Sequence, residues 1–451
     1  MSKASPKAAP RMGGSDRHLR VGAAVGAAAL VGLAFLFQGT IGPRAQGAVG
    51  VVCFLLVIAA CSTNLRAVNW RTVGYGFALQ LGLALFILKF EVGGVRPGYE
   101  IFSAIAGVVR QFLEFSNAGA GFVFGVLADG EAMSKVFPSG FVFAFTALPT
   151  IIFVSSFFTI LYYFGVLQFI VKIMAKSMMH LLKTSGAETL SAAANVFMGQ
   201  TEAPLIVKPY VGRMTQSELL ALMVGGLATV SGGVMAVYIS LGADPVAILT
   251  TSVMAAPCGL YLSKILLPET GEPATRGEVK LQVEQGHSNV IDAASSGASE
   301  GMKLAINVAA MLIAFLALIA LVDAVLVLIR DDLSLARVFS WVFAPVAILM
   351  GVASADVPAI ADLLGTKLVA NEFVSYVKLT TEYRDIEPRS YVLATYALTG
   401  FANFGSIGIL LGGIGGIAPE RRHDLARLGS RALLGGFLAT LINASIAAML
   451  I

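Results

Sequence analysis

The chain has 451 residues, of which 57% are hydrophobic and only 13% charged, and its formal net charge is +4. Soluble domains carry about a quarter charged residues, so this composition excludes a water-soluble globular protein and indicates a chain embedded in lipid. The small net charge and the lack of a basic run interleaved with aromatic residues also exclude disorder and a nucleic-acid partner. The sequence therefore predicts an all-α polytopic membrane protein whose solvent is the lipid bilayer.

Nine apolar stretches are predicted as membrane spans, most of them near the roughly 20 residues that a helical span requires. They lie at 21–37, 47–60, 72–88, 141–171, 219–241, 246–262, 304–329, 391–417 and 432–451. Residues 1–20 are small, polar and basic, which predicts a disordered cytoplasmic tail. A signal peptide is the alternative, but the tail is long for one and the first apolar run exceeds the usual 7–15 residues.

Two other apolar segments, 188–207 and 352–377, each carry a carboxylate, a proline and amide side chains in mid-segment. Irregular backbone is tolerated at membrane depth only where protein or a water-filled cavity satisfies its polar groups. We therefore predict two re-entrant hairpins that line a site between helices.

Lysine and arginine predict the orientation, because they are enriched in short cytoplasmic connections. They cluster in 3–20, 66–71, 172–213 and 421–431, whereas Arg44 stands alone in its loop and the turn 243–245 has none. This places the N-terminus in the cytoplasm and the C-terminus outside a cell (inner) membrane.

The two hairpins belong to an internal repeat. Glu202 is followed by a glycine-interrupted span and then a plain span, and Glu372 is followed by the same order of segments. With the predicted orientation the two units start on opposite sides, which is the inverted repeat of secondary transporters with a site near the midplane. The alternative is chance similarity, since glycines also serve helix packing in membranes.

The first candidate site residues lie in the first hairpin. A carboxylate such as Glu202 is costly in an apolar segment unless it is paired or faces a cavity, so it predicts a functional residue. Gln200 can donate and accept hydrogen bonds, Thr201 adds a hydroxyl, and Pro204 leaves a carbonyl unpaired, which predicts a polar lining. A buried Glu202 satisfied by a neighbouring helix end is the alternative.

The second candidate group combines Glu372 and its neighbour Asn371 with Asn403. An ionised carboxylate can accept two hydrogen bonds at once, which suits vicinal hydroxyls, and an asparagine both donates and accepts. This combination favours a sugar as ligand. Phe401 or Phe404 is a candidate for stacking on a flat ring, with an ordinary core position as the alternative.

Three sequence motifs resemble the signatures of the concentrative nucleoside transporter family and occur in the family order: GQTEAPL at 199–205, NEFV at 371–374 and GFANFGSIGI at 400–409. The resemblance extends from about residue 62 to the C-terminus. It implies a homotrimer with one permeation path per protomer, and a transport part that moves against a scaffold part as an elevator. It also implies a transporter rather than an enzyme, with no organic cofactor.

The resemblance, combined with the predicted spans, divides the chain into seven parts. These are a tail at 1–20, an additional N-terminal helix at 21–38, a mainly scaffold part with interfacial helices at 46–183, the first hairpin and broken helix of the transport part at 184–264, a polar connection at 265–302, a scaffold helix at 303–330, and the second hairpin, broken helix and last helix of the transport part at 340–451.

The resemblance also assigns roles to single residues. Positions that face the nucleobase match Gln200, Thr201, Glu202, Val234 and Phe401, and positions that hold the ribose match Glu372, Asn403 and Ser406. A sodium site is matched by the side chains of Asn195 and Thr229 and the backbone carbonyls of Met198 and Val230. Neutral oxygen donors at an unwound helix suit such a hard cation, and nucleosides of the uridine, adenosine and cytidine type are the implied substrates.

The chain departs from the family pattern at several positions. Gly405 replaces a serine beside Ser406, which removes a hydroxyl and leaves room for a wider pocket. Thr229 replaces a serine but keeps the hydroxyl, and Met198 replaces a valine where only the carbonyl is needed. The segment 354–359 lacks the usual tryptophan, so gating there is open to difference.

The predicted function is secondary active import of nucleosides driven by an inward sodium gradient. A proton-coupled symporter is the alternative, because Glu202 and Glu372 could titrate. An intramembrane hydrolase or transferase is disfavoured, because no predicted span contains a histidine to act as base. A passive channel would not accumulate substrate, and the preference for purine or pyrimidine bases is not decided.

Overall fold

The computed structural model describes residues 14–38, 40–135, 142–275 and 287–451. Within these ranges the chain is helical, and the only strand-like pairing is a single bridge between Val92 and Val95. The prediction of a helical fold without a sheet is confirmed for the described residues. Of the predicted tail, residues 1–13 lie outside the described ranges, and the first helix already begins at Gly14.

The helices of the N-terminal half are α1 Gly14–Leu36, α2 Pro43–Ala60, α3 Trp70–Leu88, α4 Pro97–Phe124, α5 Gly130–Ser134, α6 Phe143–Tyr163, α7 Val166–Leu182, α8 Gly186–Ala194, α9 Ala203–Ile206 and α10 Lys208–Val211. Those of the C-terminal half are α11 Gln216–Ala228, α12 Gly232–Leu241, α13 Pro245–Leu266, α14 Val290–Ile329, α15 Leu335–Leu349, α16 Val357–Val369, α17 Glu372–Thr381, α18 Pro388–Leu398, α19 Phe404–Ile417 and α20 Arg422–Leu450.

Eight helical stretches of the described chain are long and apolar enough to cross a membrane, against the nine predicted spans. The predicted span 391–417 accounts for the difference, because the non-helical residues 399–403 divide it into α18 and α19. The predicted stretch 141–171 divides in the same way at Gly165, whose φ of +77° suits a residue without Cβ, into α6 and α7. The range 265–302, predicted as a polar connection, contains the first turns of α14.

The segment α8 to α10, predicted as the first hairpin, begins and ends at one end of the helix bundle. Glu188 on α8 forms a buried ion pair of 2.6 Å with Lys264, close to the end of α13. Arg421, just before α20, donates to the carbonyl of Met214, which follows α10. Hence α8, α10, the end of α13 and the start of α20 meet at this end.

The segment α16 to α17, predicted as the second hairpin, begins and ends at the other end of the bundle. Arg389 at the start of α18 donates to the carbonyl of Gly351, shortly before α16, and to that of Ala448, near the end of α20. Because α20 has 29 residues, these two ends of the bundle are about 40 Å apart along its axis.

Buried polar side chains connect the central helices α3, α13 and α20. Gln80 donates to Asn443 at 2.6 Å and accepts from the hydroxyl of Tyr261 at 2.7 Å. Asn443 in turn donates to the hydroxyl and the carbonyl of Thr251. Such bonds satisfy polar groups that lipid cannot, so they fix the contact between helices that surround the polar centre.

The longest helix, α14, crosses α6 at very short distance through a stripe of small residues. Ala293, Gly297, Gly301 and Ala305 are buried at four-residue intervals, whereas most large apolar side chains of α14 are exposed. A Cβ on Gly301 would lie 2.8 Å from the Cα of Ile152. Backbone contact of this kind requires glycine and gives the two helices their van der Waals attraction.

We expect Gly301→Val to push α14 away from α6 and to lower the stability by about 1–3 kcal/mol, since the Cα of Ile152 and the carbonyl oxygen of Ile151 are backbone atoms that cannot yield. The measurement is the unfolding temperature of the purified protein in detergent. Gly107→Val is the matched control, because a Cβ at Gly107 in α4 meets nothing within 4 Å. Equal unfolding temperatures for the two variants would contradict this account of the crossing.

Candidate functional site

The two interrupted helices meet at their breaks in the middle of the bundle. Thr229 ends α11 and Ser231 caps α12, while Thr399 ends α18 and Asn403 caps α19. The backbone N–H of Phe401 donates to the carbonyl of Thr229 at 3.2 Å, so one break supplies a partner for the other. Half-helix ends at this depth form the kind of polar centre that binds ions and substrates.

Gly400 permits the close approach of these two breaks. Its φ is +158°, and an added Cβ would lie 2.7 Å from Thr440 Cγ2 and 3.1 Å from the carbonyl oxygens of Leu227 and Ala228. A side chain at this position would therefore separate α18 and α19 from the end of α11.

The turn of the first predicted hairpin, 195–202, rests on the start of α12. The N–H of Gly232 donates to the carbonyl of Phe197 at 2.8 Å, and a Cβ on Gly199 would lie 3.2 Å from that of Ser231. The Glu202 carboxylate accepts from the N–H of Gly199 at 3.0 Å, which closes the turn upon itself. The turn is thus held by its backbone contacts with α12 and by the carboxylate of Glu202.

Unpaired oxygen atoms are concentrated where this turn meets the break after α11. Asn195 is 1% exposed, and neither its Oδ1 nor its Nδ2 has a hydrogen-bond partner among the described residues. The carbonyls of Met198 and Val230 likewise accept no backbone hydrogen bond within the described chain. A buried amide costs free energy unless something else binds it, so these atoms fit a cation ligated by neutral oxygens.

Thr229 lies beside Asn195. Its hydroxyl donates to the carbonyl of Gly225 at 2.9 Å, and a Cβ on Gly225 would lie 3.0 Å from Asn195 Nδ2. Since the hydroxyl uses only its proton in this bond, its oxygen lone pairs remain available to a cation. Asn195 and Thr229 therefore both lie beside Gly225.

The second carboxylate, Glu372, is 5% exposed and is held by two donors. The hydroxyl of Tyr238 donates to Oε1 and the amide of Asn403 donates to Oε2, each at 3.0 Å. Glu372 is the first residue of α17, where the helix dipole favours a negative charge. These bonds fix the orientation of the carboxylate before a ligand hydroxyl reaches it.

Asn403 connects Glu372 to the start of α19. Its Oδ1 caps the helix by accepting from the N–H of Ser406 at 2.8 Å, which leaves its amide group directed at the carboxylate. The hydroxyl of Ser406 accepts from Gln200 Nε2 at 3.3 Å, and the buried Gln200 Oε1 has no hydrogen-bond partner among the residues that the structure describes. Gln200, Ser406, Asn403 and Glu372 therefore form one continuous polar surface.

The remaining predicted site residues differ in their exposure. Glu202 and Thr201 are exposed, Phe401 is partly exposed, and Val234 is 6% exposed on the first turn of α12. At the departure from the family pattern, a Cβ on Gly405 would lie 3.3 Å from the capping oxygen of Asn403. Glycine there leaves the first turn of α19 open.

Two side chains of this region are absent from the predicted set. Tyr238 holds Glu372 and stacks on Tyr376 with ring centroids 4.0 Å apart, and Lys367 is completely buried in α16. Their signal in the sequence is a polar group within an apolar segment, which in a membrane marks function or a buried pair.

The fold and this polar centre define a polytopic α-helical membrane protein of the secondary-transporter class, in which interrupted helices form the site. Family models match most of the chain: the Na+ dependent nucleoside transporter N-terminus at 49–127, a nucleoside recognition domain at 144–245 and the Na+ dependent nucleoside transporter C-terminus at 247–448.

Individual proteins agree with these models. Sodium/nucleoside cotransporter 1 of Mus musculus is 42% identical over 423 residues, covering 89% of this chain and 63% of the relative, so the chain spans less than two thirds of that protein. A Haemophilus influenzae protein named uncharacterized transporter is 42% identical over 413 residues, covering 89% of this chain and 96% of the relative.

A solved structure of CNTnw in an inward-facing substrate-bound state has a TM-score of 0.85 and 39% identity, and the match covers 90% of this chain and 98% of that chain. The chain therefore belongs to the concentrative nucleoside transporter family, and the prediction from its motifs is confirmed. The relatives are named as transporters and not as enzymes, in agreement with the predicted class.

Proposed function

We propose that this protein imports nucleosides and couples the import to an inward sodium gradient. The observation that carries the proposal is the juxtaposition of two prepared surfaces: unpaired neutral oxygens around Asn195 and Thr229, and the hydrogen-bonded carboxylate of Glu372 with Asn403 and Ser406. The first suits a monovalent cation and the second suits a sugar.

The proposed substrate contacts divide along the polar surface. Glu372, Asn403 and Ser406 hold the ribose, because a fixed carboxylate accepts from vicinal hydroxyls and the amide and hydroxyl add donors and acceptors. Gln200, Thr201, Glu202, Val234 and Phe401 face the nucleobase. The unpaired Oε1 of Gln200 supports this role, since a buried acceptor without a partner favours a ligand that donates to it.

Sodium is proposed as a co-substrate held by the side chains of Asn195 and Thr229 and the carbonyls of Met198 and Val230. These ligands belong to the first hairpin and to the break after α11, so a bound cation would fix one against the other. Gln200 and Glu202 follow in the same hairpin, and we propose that cation binding orders them for the nucleoside.

The proposed movement is that of an elevator within a homotrimer, in the inner membrane with the N-terminus in the cytoplasm. The two hairpin segments begin at opposite ends of the bundle, which supports an inverted repeat and a centrally placed site. Large apolar side chains on α14 and α4, such as Leu328 and Phe122, are exposed and provide surface for lipid or for neighbouring protomers.

The test of the function is uptake of labelled uridine and adenosine into proteoliposomes, with an inward sodium gradient compared with choline at fixed pH. We expect accumulation above the external concentration only with sodium. Accumulation that ignores sodium and collapses with a protonophore would favour the proton-coupled alternative. Equilibration without accumulation would indicate a passive channel, and no uptake of either nucleoside would reject the substrate class.

Asn195→Ala is expected to raise the half-saturating sodium concentration about tenfold, which corresponds to roughly 1.4 kcal/mol for one lost neutral ligand. Because Asn195 does not contact the ribose-side residues, the ranking of nucleosides should stay the same. Sodium titrations of uptake measure both quantities, with Asn117→Ala on the exposed face of α4 as control. Unchanged sodium dependence would remove Asn195 from the proposed site.

Glu372→Gln is expected to weaken nucleoside binding by ~2 kcal/mol, because a charged acceptor for the ribose hydroxyls becomes a neutral amide. Competition by 2′,3′-dideoxynucleosides and by intact nucleosides measures the effect. The deoxygenated compounds, which cannot donate to Glu372, should lose much less affinity than the intact ones. Equal losses for both sets would refute the ribose assignment.

A further inference from the structure

The second predicted hairpin contains a lysine that is entirely enclosed by protein. Lys367 on α16 is 0% exposed, and no carboxylate oxygen of the described chain lies within 4.0 Å of its Nζ. Burial of a charged amine is costly without such a partner, so other groups must compensate the ammonium.

Three neutral groups surround this ammonium. Its Nζ donates to the carbonyl of Ala397 at 2.7 Å and to the hydroxyl of Thr440 at 2.9 Å, and it lies 5.4 Å from the ring centroid of Phe437. Carbonyl and hydroxyl oxygens together with an aromatic face are the partners that a cation finds in a dry site.

The carbonyl of Ala397 is available because α18 is interrupted. In a continuous helix it would accept from the N–H of Phe401 four residues later, but that N–H donates to Thr229 across the break. The Phe401 N–H is therefore not available to the carbonyl of Ala397, and the ammonium of Lys367 donates to this carbonyl instead.

The two breaks are thus arranged alike. Thr229 and Thr399 each end a half-helix and each donates its hydroxyl to the carbonyl four residues earlier, of Gly225 and Thr395 respectively. At the first break the Oδ1 of Asn195 has no partner among the described residues, whereas at the second break the ammonium of Lys367 already donates to the carbonyl of Ala397.

We infer that Lys367 is a built-in cation of the second hairpin, whose ammonium holds the break between α18 and α19 and so positions Phe401 and Asn403 for the substrate. It takes at the second break the place that the proposed sodium ion takes at the first. The inference rests on the proposed function for the identity of the substrate, but the anchoring of the break can be measured without any substrate.

The experiment compares Lys367→Met, which keeps the length of the side chain and removes the charge and the hydrogen bonds, with the unmodified protein. Hydrogen exchange of the nucleoside-free protein in detergent is followed in the peptide covering 399–403. We expect exchange in this peptide to accelerate about tenfold or more, while the turn 195–202 changes less than about twofold. Unchanged exchange at 399–403 in a folded variant would overturn the inference.

Equilibrium binding of labelled uridine provides the second readout. For Lys367→Met we expect the dissociation constant for uridine to rise about tenfold, with the half-saturating sodium concentration changing less than about twofold. General damage to the fold would instead weaken both ligands together, and that outcome would overturn the positioning role.

Thr440→Val decides the question if Lys367→Met does not fold. This variant removes one acceptor of the ammonium and keeps the charge, so exchange at 399–403 should rise by a smaller factor, and no rise would overturn the inference. Lys303→Met serves as control, because its side chain is 69% exposed. If the unmodified protein binds no nucleoside, the proposed function fails, while the exchange result still decides the role of Lys367.

Discussion

The arrangement of the site depends on one constraint: helices that stop inside a membrane must find other partners for their backbone groups. Lipid offers none, and each unsatisfied group costs several kcal/mol. In this protein the break after α11 and the break after α18 satisfy each other in part, through the bond from Phe401 to Thr229. The two interruptions therefore depend on each other for the position of their backbone groups.

The polar groups that take no part in the bond between the two breaks define the chemistry of the site. At the first break, the amide of Asn195 and two backbone carbonyls remain without partners. At the second, caps and side chains supply nearly all partners: Asn403 closes the start of α19, and Tyr238 and Asn403 hold Glu372. The side chains at the second break are thus held by hydrogen bonds within the protein, whereas the amide of Asn195 at the first break has no such bond among the described residues.

The sequence predicts those elements whose signal is local. A carboxylate and a proline in an apolar segment mark both hairpin segments, and the motifs around Gln200, Glu372 and Asn403 identify the family. A break within 391–417 is likewise expected from its glycines and from the family resemblance. Its contact with the break after α11 is not, because the bond from Phe401 to Thr229 joins residues that are far apart in the sequence. Tyr238 and Lys367 were not predicted as residues of the site, because the groups to which they donate lie more than 25 residues away in the sequence.

The distribution of charge then distinguishes the two hairpins. Glu202 accepts from the N–H of Gly199 in its own turn and is exposed, whereas Glu372 is buried and accepts from Tyr238 and Asn403. A buried carboxylate is tolerated when donors and an opposite charge compensate it. If Lys367 is the cation of the second break, as inferred above, the proposed sodium ion has its place at the first break, where the turn 195–202 contains no lysine.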